Sequence, residues 1–191
     1  MSLMEDLRVR IGLEPDDTSR DAEIDAVKDT SFALMGNYCD RVFLLGTDVV
    51  EQFTHAVGMA LALKRYPIDT VTSIVDQDDR AFTDYHIEPD TGVIHLDVRC
   101  AFHQAYVTFT GGYDEDALPG DLLVAFYAVF DQEWDIYEGG AVSSSGEISS
   151  VSVVDVGTIR YDTNASDSTG QGSFLPDRAK SLLENYMRYK C

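Results

Sequence analysis

The side chains here that could bind a metal or drive acid–base chemistry are four histidines, three cysteines and a large excess of carboxylates. None falls into a recognisable catalytic spacing. No two histidines bracket a glutamate at helical spacing, so the zinc-helix signature is absent. His86, His95 and His103 could converge across neighbouring strands as metal ligands, since cross-strand neighbours lie close. The plainer reading is three solvent-facing strand histidines, with His55 isolated. Asp76-x-Asp78-Asp79 and Asp162-x-Asn164-x-Ser166-Asp167 loosely resemble calcium loops. Each lacks the sixth-position glycine and the closing glutamate, so both read as solvated loop acids. There is no Gly-x-Ser-x-Gly elbow and no phosphate-binding Gly-x-x-x-x-Gly-Lys; Gly170-x-Gly172 sits in a serine-rich stretch without the strand–helix context such a loop needs. The carboxylates are too many for one general acid–base pair to stand out. The expectation is a protein that is not an enzyme and needs no cofactor or metal. A hydrolase with a dispersed acidic metal site is the remaining catalytic alternative.

Charge is the strongest compositional signal. There are 34 acidic and 14 basic residues, a net charge of −20, with 24 Asp against 10 Glu and only four Lys. Nucleic acid is not gripped by such a chain, because phosphate contacts need clustered Lys and Arg. Two readings stay open. The acidity forms a surface that repels a polyanion, or it adapts the chain to a salty interior, where the Debye length falls to about 3 Å and self-repulsion is screened. Cys39, Cys100 and Cys191 are odd in number and far apart, which fits thiols in a reducing cytoplasm better than a disulfide framework. No apolar run reaches the ~18 residues of a membrane span. The first residues are acidic and amphipathic, without the basic and apolar regions of a secretory signal.

The elements that must position these side chains begin with a short helix, Met4, Leu7 and Ile11 on one face and Gly12 as its stop. Thr18-x-x-Asp21 reads as a helix N-cap with an acidic first turn. The helix it opens runs to Cys39, with Ile24, Val27, Leu34, Met35 and Tyr38 as its apolar face. Residues 40–64 read as strand, the least distinct part. Tyr66-Pro67 ends that stretch and sends the chain into an extended run, Val71 to Val75. Tyr85 to Ile87 and Val93 to Val98 form a hairpin around Glu88-Pro89-Asp90-Thr91-Gly92. Ala105 to Thr110 is a strand with side chains of substance on both faces, hence central or at a subunit contact. Its outward or terminal residues Tyr106, Thr108, Phe109 and Tyr113 are the subunit-contact candidates.

After Leu118-Pro119 comes the clearest helix. Leu122, Leu123, Phe126, Val129, Phe130, Trp134 and Tyr137 recur at helical spacing, and Pro119 fits a first turn. Asp131, Asp135 and Glu138 form an acidic stripe on it at i, i+4 and i+7, where like charges repel by a few tenths of a kcal/mol each. Gly139-Gly140 ends the helix. Two Ser/Gly-rich stretches then flank one strand, Val153 to Tyr161, or form a long hairpin arm. The last helix, from Leu175 to Lys190, is apolar along Leu182, Leu183, Tyr186 and Tyr189 and is the one locally basic element. The expected fold is α+β, a single domain over 1–191. Residues 1–41 and 117–139 make a small helical bundle, 42–113 an inserted antiparallel β subdomain, 140–173 an extended loop or hairpin arm, and 174–191 a C-terminal helix.

The order of these pieces resembles a known family. Tyr-Pro-Ile-x-x-Val-x-x-Ile (Tyr66 to Ile74) is followed by Asp-Tyr-His-Ile and Thr-Gly-Val-Ile (Asp84 to Ile94). Val-Thr-Phe-Thr-Gly-Gly-Tyr (Val107 to Tyr113) and Leu-Pro-x-Asp-Leu (Leu118 to Leu122) come next. Val-Gly-x-Ile-x-Tyr (Val156 to Tyr161) and Leu-Pro-x-x-Ala-x-x-Leu-Leu-x-x-Tyr (Leu175 to Tyr186) complete the set. Together they resemble the head–tail connector proteins of tailed viruses, also called adaptor or head-completion proteins, in the larger form with a β insertion. Only residues 40–64 find no counterpart. The resemblance implies a virion neck protein, assembled in the host cytoplasm into a ring of twelve copies. Such a ring docks beneath the portal, extends the DNA channel without binding DNA specifically, and receives a stopper or tail protein; no membrane is involved. It makes Arg178, Leu182, Leu183, Tyr186, Arg188 and Tyr189 candidates for docking on the portal, and Asp131, Asp135 and Glu138 candidates for lining the channel. The Asp-rich, Lys-poor balance then suggests a salt-loving host. A tail terminator, a stopper or a stand-alone binding module are the alternatives.

Overall fold

The computed structural model describes residues 2–54, 57–101, 104–139, 150–153, 157–160 and 175–188. Helix α1 (Leu3–Arg10) opens on a capping box: the Ser2 hydroxyl accepts from the Glu5 N–H while the Glu5 carboxylate accepts from the Ser2 N–H at 2.8 Å. Two of the four unpaired donors of a helix start are thereby satisfied. Helix α2 (Asp21–Cys39) starts later than the sequence suggests, on Arg20 and without a side-chain cap. Thr18 instead lies in the preceding turn, where its carbonyl accepts from the Asp21 N–H. Asp21 is engaged elsewhere, by a two-pronged bond from Arg8 at 2.8 and 2.7 Å.

Six strands follow: β1 (Gly46–Thr54), β2 (Val57–Ala62), β3 (Ile68–Asp76), β4 (Tyr85–Glu88), β5 (Val93–Ala101) and β6 (Gln104–Gly111). The strand reading of residues 40–64 holds. The strands form two antiparallel three-stranded sheets, ordered β1-β6-β3 and β2-β5-β4. Alternation along β6 buries Ala105, Val107 and Phe109 and turns Tyr106, Thr108 and Thr110 outward, so β6 is the central strand of its sheet. Leu61, Ile94 and Leu96 of one sheet meet Ile74, Val107 and Phe109 of the other in one buried cluster. Each such side chain contributes about 1.5–3 kcal/mol by leaving water.

Helix α3 (Gly120–Tyr137) returns the chain to α1 and α2. Pro119 is its N-cap rather than a first-turn residue, with extended backbone, and its carbonyl accepts from the Leu123 N–H at 2.8 Å. The apolar stripe is the expected one at Leu122, Phe126, Val129, Phe130 and Trp134, while Tyr137 lies outside the core, 52% exposed. Phe32 of α2 stacks on Phe126 at 4.4 Å. Helix α4 (Asp177–Leu183) adds Leu175, Ala179 and Leu183 to this second cluster. Between α3 and α4, β7 (Ser150–Val153) pairs antiparallel with β8 (Gly157–Arg160).

The Gly-Gly after β6 has a steric reason. Gly112 has φ +101°, and a Cβ there would lie 2.5 Å from the Leu44 carbonyl oxygen. The close approach lets Tyr113 donate to the Phe43 carbonyl and Leu45 to that of Tyr113, both at 2.8 Å. These bonds join the β subdomain to the helical body. The structure is α+β, as the sequence indicates.

Candidate functional site

The acidic stripe of α3 is half neutralised within the chain. Arg10, in the last turn of α1, grips Asp131 with two nitrogens, Nη2 donating at 2.6 Å, and lies over the Tyr127 ring at 4.6 Å. Arg20 donates to Glu138 and to Glu23, and covers the Trp134 ring at 4.7 Å. The guanidinium groups of Arg10 and Arg20 are held above their usual range, first by these hydrogen bonds. Asp135 is exposed between the two pairs. Spacing on α3 showed the acids; their arginine partners come from elements more than a hundred residues away.

The four subunit-contact candidates divide three ways. Tyr106 and Thr108 face outward on β6, opposite Gln52 and Val50 of β1 and Val75 and Ser73 of β3. This outer face is neutral, with Val50 its most exposed apolar group. Phe109 is fully buried between the sheets, which corrects its candidacy: the pleat that turns Tyr106 and Thr108 out turns Phe109 in. Tyr113 lies beyond the strand, at the junction with the helical body.

The C-terminal candidates also divide. Arg178 is exposed and Leu182 half-buried, but Leu183 is fully buried in the chain's own core and has no surface for a partner. The helix is shorter than Leu175 to Lys190. After Leu183 it tightens into a 3-10 turn, Glu184–Tyr186. The segment is drawn into local contacts: the Tyr186 hydroxyl donates to Asp121 at 2.5 Å, the Arg188 N–H to the Cys39 carbonyl at 2.9 Å, and the Arg188 guanidinium to the Ala62 carbonyl. Tyr189 lies outside the described residues.

A site the sequence reading missed sits where these segments meet. Arg41 follows the left-handed Asp40 that ends α2 and is only 4% exposed. Its guanidinium lies 3.4 Å from the centroid of the Tyr66 ring and 4.7 Å from that of Phe43, and donates to the Tyr66 carbonyl. Burial pushes the guanidinium below its usual range, and among the described residues no carboxylate pairs with it. Its Nε is buried without a hydrogen-bond partner. The available sequence signal was one arginine set in an apolar run, Cys39 to Leu45. Arg41 lines a cleft of about 420 Å³ shared with Phe32, Ala33, Val42, Lys64 and Arg65. Arg65 donates to the Leu44 carbonyl, while the Lys64 side chain is 53% exposed and only loosely paired with Asp40, at 3.8 Å.

Metal chemistry finds little support. His86 and His95 do face each other across β4 and β5, and His95 Nε2 lies 3.1 Å from Glu88. His55 and His103 lie outside the described residues, as does the 162–167 loop. Asp76 Oδ1 accepts from the N–H groups of Asp78 and Arg80 at 2.8 and 2.9 Å, so this acid shapes its own turn. Among the described residues no three or more His, Cys, Asp or Glu gather as metal ligands, and no helix is long and apolar enough to cross a membrane.

No protein family profile and no curated protein sequence matches the chain. Solved structures do match in fold, over almost its whole length. A chain in the neck of an empty gene transfer agent particle, computed with C6 symmetry, superposes with a TM-score of 0.60 at 15% identity, over 99% of this chain and 90% of that one. A chain of the native gene transfer agent virion gives 0.55 at 17%, over 98% and 88%. One in the native neck computed with C12 symmetry gives 0.52 at 16%, over 100% and 94%. At these identities the likeness is one of fold.

Proposed function

We propose that this chain is a structural virion protein of the neck, one copy in a ring between the capsid portal and the tail or stopper. The observation that carries this reading is the end-to-end fold match to chains of gene transfer agent necks, solved with cyclic symmetry. Twelve copies is the number this reading adopts. The net charge of −20 supports a ring through which DNA passes without sticking, because an acidic wall repels phosphate. The stripe Asp131, Asp135 and Glu138 is not needed as that wall. Two of its acids already carry arginines, so the repulsion is assigned to the net charge of the ring as a whole. Portal docking is assigned to the outward side of the C-terminal segment, where Arg178 and Met187 are exposed. In this reading the chain acts by shape and charge, as a structural element and not as an enzyme.

The test is the mass of the purified chain by light scattering in moderate to high salt, with and without portal protein. A ring-sized particle, alone or on adding portal, is the expected result. A small oligomer indifferent to portal would reject the assignment.

A further inference from the structure

The helical body spends its bases on its own acids: Arg8 on Asp21, Arg10 on Asp131, Arg20 on Glu138, Lys28 on Glu115. The cleft at the end of α2 is different. Arg41 beneath it has no carboxylate partner among the described residues, and Lys64 and Arg65 stand at its wall with only Asp40 close by. Its rim is apolar, with Val42 41% exposed. In a chain of net charge −20 this is a cationic, apolar-walled recess, and it calls for an occupant that is aromatic or aliphatic with flanking acids.

The chain carries such a group. Tyr137, at the C-terminal end of α3, is 52% exposed, and Asp135 and Glu138 stand beside it. It cannot reach the cleft of its own copy. The α3 tip is bound to the start of α2 through Arg20, which pairs with Glu138 and covers Trp134. The cleft lies at the other end of α2, beside Gly36 and Asn37. The 19 residues of that helix separate the two by roughly 28 Å, at 1.5 Å per residue. Two unlike, complementary patches at opposite ends of one rigid element describe a head-to-tail contact, which closes into a ring when the rotation between copies allows.

We infer that the acid–aromatic tip of α3 on one copy seats in the Arg41–Lys64–Arg65 cleft of the next copy. Tyr137 fills the apolar wall, and Asp135 meets Lys64. This rests on the ring reading above and adds to it which surfaces meet.

Two exposed substitutions test it in the full chain. Lys64→Glu, and separately Tyr137→Ala, should each raise the protein concentration needed for assembly at least tenfold by light scattering, with circular dichroism unchanged. Asp135→Lys combined with Lys64→Glu should restore assembly, which a merely structural lysine would not allow. In a second arm, Lys64→Cys/Asp135→Cys should give a ladder of covalent multimers on mild oxidation, above the background of the wild-type cysteines, and neither single variant should. Rings that form normally in Lys64→Glu, or rings of the double-cysteine protein without a ladder, overturn this contact while leaving the ring intact. Cross-linking of Lys64→Cys to added portal protein instead of to another copy overturns it too. A wild-type chain that never assembles, with or without portal, overturns both the ring and the contact.

Discussion

The two ends of α2 handle arginine in opposite ways. At the start, Arg20 lies on the surface with two carboxylates in reach, beside the similar pair of Arg10 and Asp131. At the finish, Arg41 is buried among aromatic rings, with a backbone carbonyl and no carboxylate among the described residues. Exposed ion pairs contribute at most about 1 kcal/mol and fade with salt. A buried guanidinium must recover a desolvation cost of several kcal/mol, here from ring faces and hydrogen bonds. Surface arginines therefore adjust charge in this chain, whereas Arg41 joins the helical body to the β subdomain.

The largest test of this contrast is Arg41 itself. Arg41→Ala should lower unfolding free energy by about 3 kcal/mol in urea titration, from the lost cation–π contacts and the cavity left behind. Arg41→Met should recover more than half of that, because it fills the space without a buried charge or an orphaned Nε–H. A loss below about 1 kcal/mol for alanine would break the comparison. Next is the joint beside it. Gly112→Ala should cost about 2 kcal/mol, since a left-handed backbone and the Leu44 carbonyl both oppose a Cβ.

A pH effect belongs to the same end. Burial raises the Cys39 thiol from 9.0 to about 11. The unfolded chain therefore releases this proton first as pH rises, so the stability from keeping the thiol neutral is complete below pH 9 and lost towards pH 11. Denaturant titrations at pH 8 and pH 10.5 should show that fall, and Cys39→Ala should flatten it. Smallest is the surface end. Arg10→Ala and Arg20→Ala should each change stability by roughly 0.5 kcal/mol in dilute buffer and by less in 1 M salt. A larger, salt-resistant loss at either would erase the contrast.

Much of the fold was legible from periodicity. The stripe from Leu122 to Trp134 and the alternation of Ala105, Val107 and Phe109 each report a local geometry that repeats every 3.6 or 2 residues. The same alternation contained the error at Phe109: all four β6 candidates were grouped by place in the chain rather than by face. The start of α2 was misread because Asp21 serves Arg8 instead of forming part of a cap with Thr18. The C-terminal helix was read too long because residues 184–188 have good helical character locally, yet bond to Cys39 and Ala62 across the junction.

Composition and pattern determined that this chain is acidic, α+β, built of helices around an inserted sheet region, and without a recognisable catalytic spacing. Each of those properties belongs to one residue or to near neighbours in sequence. Only the tertiary structure decided which acids keep a free charge, that Leu183 and Phe109 are interior, and that Arg41, Lys64 and Arg65 share a cleft. Those outcomes depend on which distant segments come within a few ångströms of each other, and the energy of a charge depends on that neighbourhood more than on its own position in the chain.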